Sequence, residues 1–239
     1  MIVVKSLEEL SDNPFTSPFA LVPTMGNLHE GHINLLEIAR EKNFLPVVSI
    51  FVNPLQFGPN EDLDKYPRTL DNDLEILEKN NCHGVFIPQE NEILKNIEPL
   101  EAPFADKLCA KSRPGHFNGV ITIVNKLFEV TNPQACVFGM KDFQQQLIIQ
   151  HLIKTKQYEI QFLSAPIVRD INGLALSSRN NYLTSKERTE ASKVFTFLSE
   201  IQEEIKLSFK KQKKTLPIDL DTIKDLSLIH ISEPTRRSY

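Results

Sequence analysis

Phe19-Ala20-Leu21-Val22-Pro23-Thr24-Met25-Gly26-Asn27-Leu28-His29-Glu30-Gly31-His32 is the stretch whose reading decides the fold. Its first six residues form an apolar run of strand length, and from Gly31 onward Ile33, Leu35, Leu36, Ile38 and Ala39 recur at helical spacing over residues 31–43. A strand that passes through a glycine turn into a helix is the opening half of a βαβ unit. Such a helix start collects free backbone N–H groups and the positive end of the helix dipole. Both attract phosphate, and Gly26 and Gly31 let a ligand come close to the backbone.

The same alternation continues outward. Residues 45–52, 84–88, 135–139 and 159–166 read as further strands, and residues 69–80, 117–130 and 142–155 as amphipathic helices, the last two richer in apolar positions and expected to be more buried. Strands alternating with helices predict an α/β fold built on a doubly wound, mainly parallel sheet. Ligands of such sheets bind beyond the carboxyl ends of the strands.

After residue 166 the pattern changes. Arg169-Asp170-Ile171-Asn172-Gly173 carries Asn-Gly turn chemistry and predicts a hairpin. A long helix follows over residues 185–211, marked by Ala191, Val194, Leu198, Ile201, Ile205 and Phe209, with Thr184 or Ser185 as its cap. The expected division is a first domain over residues 1–175, a smaller and incomplete second domain over 176–225, and a tail over 226–239 foreign to the protein. That tail resembles sequencing-adapter DNA translated in frame. The cluster Lys210, Lys211, Lys213 and Lys214 reads as a solvated helix end.

Bulk properties narrow the partners. With 27 Lys and Arg against 31 Asp and Glu, the net charge is −4, which offers no footprint for nucleic acid or a membrane surface. The longest apolar stretch, residues 44–52, is far short of the roughly 20 residues that span a bilayer. The start of the chain lacks the basic, then apolar, character of a secretory signal, so the cytosol is the expected compartment. Cys82, Cys109 and Cys136 form no C-x-x-C pair and are expected to be buried, inert thiols; no residue is singled out as a metal ligand.

Four segments carry chemistry. His29 and His32, three residues apart at the predicted helix start, can donate hydrogen bonds to a triphosphate as charge builds on it; a metalloprotease H-E-x-x-H fails because position 33 is Ile33. Asn53 and Gln56, on the loop after residues 45–52, can read hydroxyl and carboxylate oxygens without adding charge, although Asn53-Pro54 is also ordinary turn material. In Gly139-Met140-Lys141-Asp142-Phe143-Gln144-Gln145, Lys141 suits a phosphate, Asp142 a helix cap, ribose or Mg²⁺, and Gln145 a pocket mouth; a surface Lys-Asp pair is the plainer reading. In Leu176-Ser177-Ser178-Arg179, two hydroxyls beside a guanidinium make a phosphate clamp.

The H-x-G-H pattern resembles the HIGH motif of the adenylate-forming nucleotidyl transferases, and Leu176 to Arg179 resembles their mobile KMSKS-like loop. Together with Tyr66-Pro67-Arg68-Thr69 and Arg113-Pro114-Gly115-His116-Phe117, the four segments resemble the pantothenate synthetase family in order and spacing from residue 19 to 184. The resemblance implies a Rossmann-like first domain, a smaller lid, Mg²⁺, a homodimer, and condensation of pantoate with β-alanine through a pantoyl-adenylate at the expense of ATP. It implies that Met25, Gly26, Asn27, Leu28, His29, Glu30, Gly31, His32, Gly139, Met140, Lys141, Asp142, Val168, Leu176, Ser177, Ser178 and Arg179 enclose ATP. Gln56 and Gln145 would hold pantoate, and His32 takes the family's proton-donor position. Met140 stands where an acidic residue is usual and Asn118 where a basic one is. The family is longer and its second domain contains strands missing here, so a fragment that binds nucleotide and pantoate without turnover is the competing expectation. A nucleotidyl transferase acting on a phosphate acceptor is disfavoured, because Gln56 and Gln145 are uncharged.

Overall fold

A computed structural model describes residues 1–12, 14–15 and 18–210, with the backbone alone described for 208–210. The expected foreign tail, the end of the expected second domain and Lys211, Lys213 and Lys214 lie outside the described residues.

In chain order the elements of the first unit are β1 (Ile2–Val4), α1 (Leu7–Ser11), β2 (Phe19–Thr24), α2 (Glu30–Glu41), β3 (Leu45–Ile50), α3 (Leu70–Lys79), β4 (Gly84–Phe86), α4 (Glu90–Ile93), α5 (Cys109–Ser112), α6 (His116–Thr131), β5 (Ala135–Gly139), α7 (Phe143–Thr155) and β6 (Gln161–Ala165). The six strands form one sheet in the order β1-β4-β3-β2-β5-β6, and every pair is parallel. The predicted doubly wound α/β fold is therefore present. The chain moves outward from β2 through β3 to β4, then returns to the other side of β2 at β5. That reversal puts the topological switch point between the ends of β2 and β5, at Thr24 and Gly139.

The period-2 alternation of the strands sorts side chains to two faces. Phe19, Leu21, Val47, Phe86, Cys136 and Phe138 pack with Phe117, Val120, Ile121, Val124 and Phe128 of α6 and Ile148, Ile149 and Leu152 of α7. On the other face, Ala20, Val22, Val48, Val85 and Val137 pack with Leu35, Leu36 and Ala39 of α2 and Leu77 of α3. Both faces are thus covered by helices, which suits the continuous apolar runs of parallel strands. Gly119 permits one close approach. A Cβ there would lie 2.1 Å from the carbonyl oxygen of Leu55, so the first turns of α6 rest directly on the backbone after β3.

The chain divides into two compact units, the first being Met1–Ile167 and the second beginning at Val168. In the second, the expected hairpin is a short antiparallel turn with one bridge, Arg169 to Ala175. Asp170 holds it: its Oδ1 accepts from the N–H groups of Asn172 and Leu174, and Gly173 takes the left-handed conformation at φ +89°. The helix α8 (Ser185–Lys210) follows. Thr184 caps it reciprocally with Glu187, the hydroxyl accepting from the Glu187 N–H and the carboxylate from the Thr184 N–H at 2.8 Å. Phe195 of α8 lies against the turn, with the Arg169 guanidinium 3.9 Å above its ring.

Cys82 and Cys136 are buried as expected, and burial raises both thiols, Cys82 to about 11. Cys109 is exposed instead. It opens the short helix α5, whose backbone rather than its side chain is engaged, the Cys109 N–H donating to Gln144.

Leu36 is fully buried on α2, the helix that carries the two histidines. Leu36→Ala should lower the unfolding free energy by about 2–5 kcal/mol in urea denaturation. A loss under about 1 kcal/mol would mean that the face beneath α2 is not the packed layer described.

Candidate active site

The carboxyl ends of β2, β3 and β5 each release a loop bearing predicted site residues. After β2 the backbone enters the left-handed region twice in succession, at Gly26 (φ +79°) and Asn27 (φ +51°). Such a turn leaves N–H groups without helix partners, and Asp73 of α3 supplies acceptors. Its Oδ2 accepts from the Asn27 N–H at 2.9 Å and from the Thr69 hydroxyl at 3.1 Å, and its Oδ1 from the Leu28 N–H at 2.8 Å. Asp73 is 1% exposed, and a Cβ on residue 26 would come within 2.9 Å of its Oδ2, so Gly26 is needed for this approach as well as for its φ.

Past that turn, His29 is the N-cap of α2 and His32 its third residue. His29 Nδ1 accepts from the Gly31 N–H at 3.0 Å, and His32 Nδ1 accepts from the His29 N–H at 3.2 Å. The ring centroids are 4.1 Å apart. A nitrogen that accepts carries no proton, so both neutral rings hold their proton on Nε2. Burial, then the Lys141 charge, lowers His29 to about 4. Burial, the neighbouring His29 and Lys141 lower His32 to about 3, against a smaller opposing pull from Asp142. A cation would also meet the positive end of the α2 dipole. The pair is therefore two neutral N–H donors at the switch point.

After β3, Asn53 caps a short 3-10 turn, Pro54–Gln56, and is almost fully buried. Its Nδ2 donates to the Gly119 carbonyl at 3.1 Å and to Gln56 Oε1 at 3.2 Å. Gln56 Nε2 in turn reaches the Met25 sulfur at 3.1 Å, so this turn touches the loop after β2. Asn53 is thereby a structural anchor, and the half-buried Gln56 is the amide at the edge of the site.

After β5 comes Met140–Asp142, a single 3-10 turn leading into α7. Met140 is exposed, and Lys141 pairs with Asp142 at 3.1 Å, both side chains being substantially exposed. Three glutamines follow, and their bonds separate them. Gln144 holds the carbonyls of Phe104 and Lys107, and Gln146 holds the Phe138 carbonyl at 2.8 Å and accepts from Ser164. Among the described residues the Gln145 amide has no hydrogen-bond partner, unlike its two neighbours. Asn118, the other departure from the family pattern, accepts from the Ala102 N–H at 2.9 Å and so holds a loop.

The remaining predicted residues belong to the second unit. Val168 accepts from the Leu176 N–H at 3.0 Å across the turn. Ser177 caps the 3-10 turn Ser178–Tyr182 through a bond from the Arg179 N–H. Among the described residues no group of three or more His, Cys, Asp or Glu side chains converges as a metal cage.

Sequence reasoning missed Asp73, Glu61 and the work of Arg113 and His116. Asp73 had one legible sign: with Leu70, Leu74 and Leu77 it falls on the three- and four-residue stripe of α3, an acid among apolar positions. Glu61 had none, because it lies in a loop and meets Arg113 across 52 residues of chain.

A family model described as Pantoate-beta-alanine ligase matches residues 3–236. A pantothenate synthetase of Thermosipho melanesiensis is 41% identical over 97% of this chain and 85% of its own length. A pantothenate synthetase of Thermoanaerobacter sp. is 48% identical over 72% of this chain and 62% of its own length. The pantothenate synthetase structure from Thermus thermophilus superposes with a TM-score of 0.80 at 38% identity, over 85% of this chain and 75% of that one. A pantoate-β-alanine ligase of Francisella tularensis, solved in complex with β-γ ATP and β-alanine, gives 0.76 at 38% identity over 83% and 79%. A match along nearly the whole chain at this identity, on the same fold, makes the chain a member of the pantoate-β-alanine ligase family of enzymes.

Proposed function

We propose that this chain condenses pantoate with β-alanine to give pantothenate, through a pantoyl-adenylate, releasing pyrophosphate and AMP from ATP. The observation that carries the reading is the pair of neutral imidazoles at the start of α2, beside Lys141 and at the switch point. In the first half-reaction the pantoate carboxylate attacks the α-phosphorus and pyrophosphate departs. In the second the β-alanine amine attacks the acyl carbonyl and AMP departs. No covalent bond to the enzyme is required, so rate comes from alignment and from donors aimed at developing charge. We assign that role to His29, His32 and Lys141 in the first unit and to Ser177, Ser178 and Arg179 in the second. His32 acts here as a hydrogen-bond donor, since a pKa of about 3 keeps the ring neutral and the bond accepted at Nδ1 leaves its proton on Nε2. Residues 25–32 and 139–142 would bind ATP in the first unit, Val168 and Leu176 take the family's nucleotide-contacting positions in the second, and Gln56 and Gln145, with Asn53, would hold pantoate. The Francisella relative's complex with β-γ ATP and β-alanine supports two of the three substrates.

Mg²⁺ fits as an ion held chiefly by the triphosphate, with Asp142 the exposed carboxylate nearest the Lys141 position. Bound there it would offset charge on the departing phosphates. We place the enzyme in the cytoplasm, where ATP is supplied and the three free thiols stay reduced. No described helix is long and apolar enough to cross a membrane. A homodimer belongs to the same reading. Phe104, Leu108, Phe143 and Leu147 are exposed, and Gln144 ties their two segments together.

The test is AMP and pyrophosphate release by purified protein given ATP, Mg²⁺ and pantoate, with and without β-alanine, on material whose mass is read by light scattering. AMP release that needs all three substrates, and falls by roughly 10²–10³ in His32→Ala, supports the ligase. Nucleotide binding without pyrophosphate release would identify a binding fragment instead.

Asp73→Asn removes one acceptor from two backbone donors. It should cost about 1–3 kcal/mol of stability and weaken binding of a non-hydrolysable ATP analogue about tenfold. Unchanged nucleotide affinity in calorimetry would refute the assignment of Asp73 to the nucleotide loop.

Acid should destabilise the fold through the same rings. Folded His29, His32 and His116 titrate at about 4, 3 and 4, below the ordinary 6.5. The unfolded chain therefore takes up protons first as pH falls. Their stabilising contribution is complete above pH 6.5 and drains away as pH drops toward 4. The melting temperature should fall over that window, and less steeply in His32→Gln; equal slopes would rule the ring out.

A further inference from the structure

The carbonyl of Gln56, the residue assigned to pantoate, is bonded by His116 Nδ1 at 2.8 Å. On the other side of the ring, Arg113 Nη1 lies 3.0 Å from Nε2. A guanidinium can only donate, so Nε2 must accept, and the ring's proton is confined to Nδ1. Arg113 is itself fixed by a two-pronged pair with Glu61, Nε to Oε1 at 2.8 Å and Nη2 to Oε2, with both side chains about three-quarters buried. Glu61, Arg113, His116 and the Gln56 carbonyl thus form one directed chain of hydrogen bonds from a loop to the turn after β3.

The rest of the turn is held as firmly. The Gly119 backbone lies against Leu55 and Gln56, and the Gln56 amide is engaged by Asn53 and by the Met25 sulfur. The peptide that follows the Gln56 side chain is gripped at both of its polar atoms, the Phe57 N–H donating to the Pro54 carbonyl at 3.2 Å and the Gln56 carbonyl accepting from His116, and the second bond is the one that ties this plane to a side chain of α6. Burial, then the charge of Arg113, lowers the ring to about 4, so it stays neutral and keeps its Nδ1 proton at neutral pH. Glycine at 115, with φ +79°, is the N-cap of α6 and brings His116 to the first position of that helix.

We infer that His116 is a positioning residue for the pantoate half of the site: Arg113 and Glu61 fix its tautomer, and its Nδ1–H fixes the Gln56 peptide so that the Gln56 amide meets the hydroxy acid in one orientation. The inference rests on the reading that Gln56 holds pantoate. It assigns His116 no contact with ATP.

Calorimetry on the full chain separates these claims, with pantoate titrated in the presence of a saturating non-hydrolysable ATP analogue, and the analogue titrated alone. His116→Ala should weaken pantoate about fivefold to tenfold and leave the analogue within about twofold. His116→Asn, whose Nδ2–H can reach the same carbonyl, should recover most of the pantoate affinity, whereas His116→Gln should not. Should the alanine variant fail to fold, the Asn and Gln pair carries the comparison. The double variant Gln56→Ala/His116→Ala should bind pantoate no more weakly than Gln56→Ala. Equal weakening of both ligands without rescue by Asn, or unchanged pantoate affinity in His116→Ala while Gln56→Ala loses it, overturns the role of His116. If Gln56→Ala itself leaves pantoate affinity unchanged, the assignment of Gln56 fails and takes the inference with it.

Discussion

The grip of the Asp73 carboxylate on the Asn27 and Leu28 N–H groups is the interaction on which the rest of the site depends. Two successive left-handed residues turn the chain sharply at the end of β2, and only an acceptor from outside can satisfy the donors that the turn strands. With that acceptor buried in α3, the start of α2 is fixed relative to the sheet. The cap at His29 and its return bond to His32 then follow from where the helix begins. Neutrality of the two rings follows in turn, because both Nδ1 atoms are spent on backbone N–H groups and the site is shielded by burial. A change at Asp73 would therefore reach the two imidazoles, although it touches neither.

Much of the architecture was legible because its carriers are long and periodic. Four helices and five strands of the first unit were readable from spacing, with ends that moved by only a few residues, since 3.6- and 2-residue periods are strongest in the interiors of elements. β1 was not readable: three residues are too few for a period, and Ile2–Val4 becomes a strand only by pairing with β4 far along the chain. α1, α4 and α5 escaped for the same reason, being four or five residues long.

The candidate site divides along a similar line. Groups that announce themselves by motif, such as His29, His32, Lys141 and Gln145, lie at strand ends where local sequence sets their place. Groups that act through tertiary bonds gave little or no sign. His116 and Arg113 stood in a recognisable motif, yet their task became visible only with the distances to Gln56 and Glu61. Asn53 shifted in meaning for a like reason, since its amide is consumed by Gly119 and Gln56.

Two acids, the buried Asp73 and the partly buried Glu61, brace the turns after β2 and β3. Asp73 spends its oxygens on two N–H groups and a hydroxyl, and Glu61 spends both of its own on Arg113. A triphosphate and a carboxylate substrate would be repelled by any bare acid, so the charges that stiffen the two loops must be neutralised from within. At the switch point the first unit then carries donors: two Nε2–H groups and the Lys141 ammonium, the last paired with the exposed Asp142. The arrangement obtains rigidity from carboxylates whose oxygens are occupied by partners within the protein, so the turns after β2 and β3 are stiffened without leaving those two acids bare.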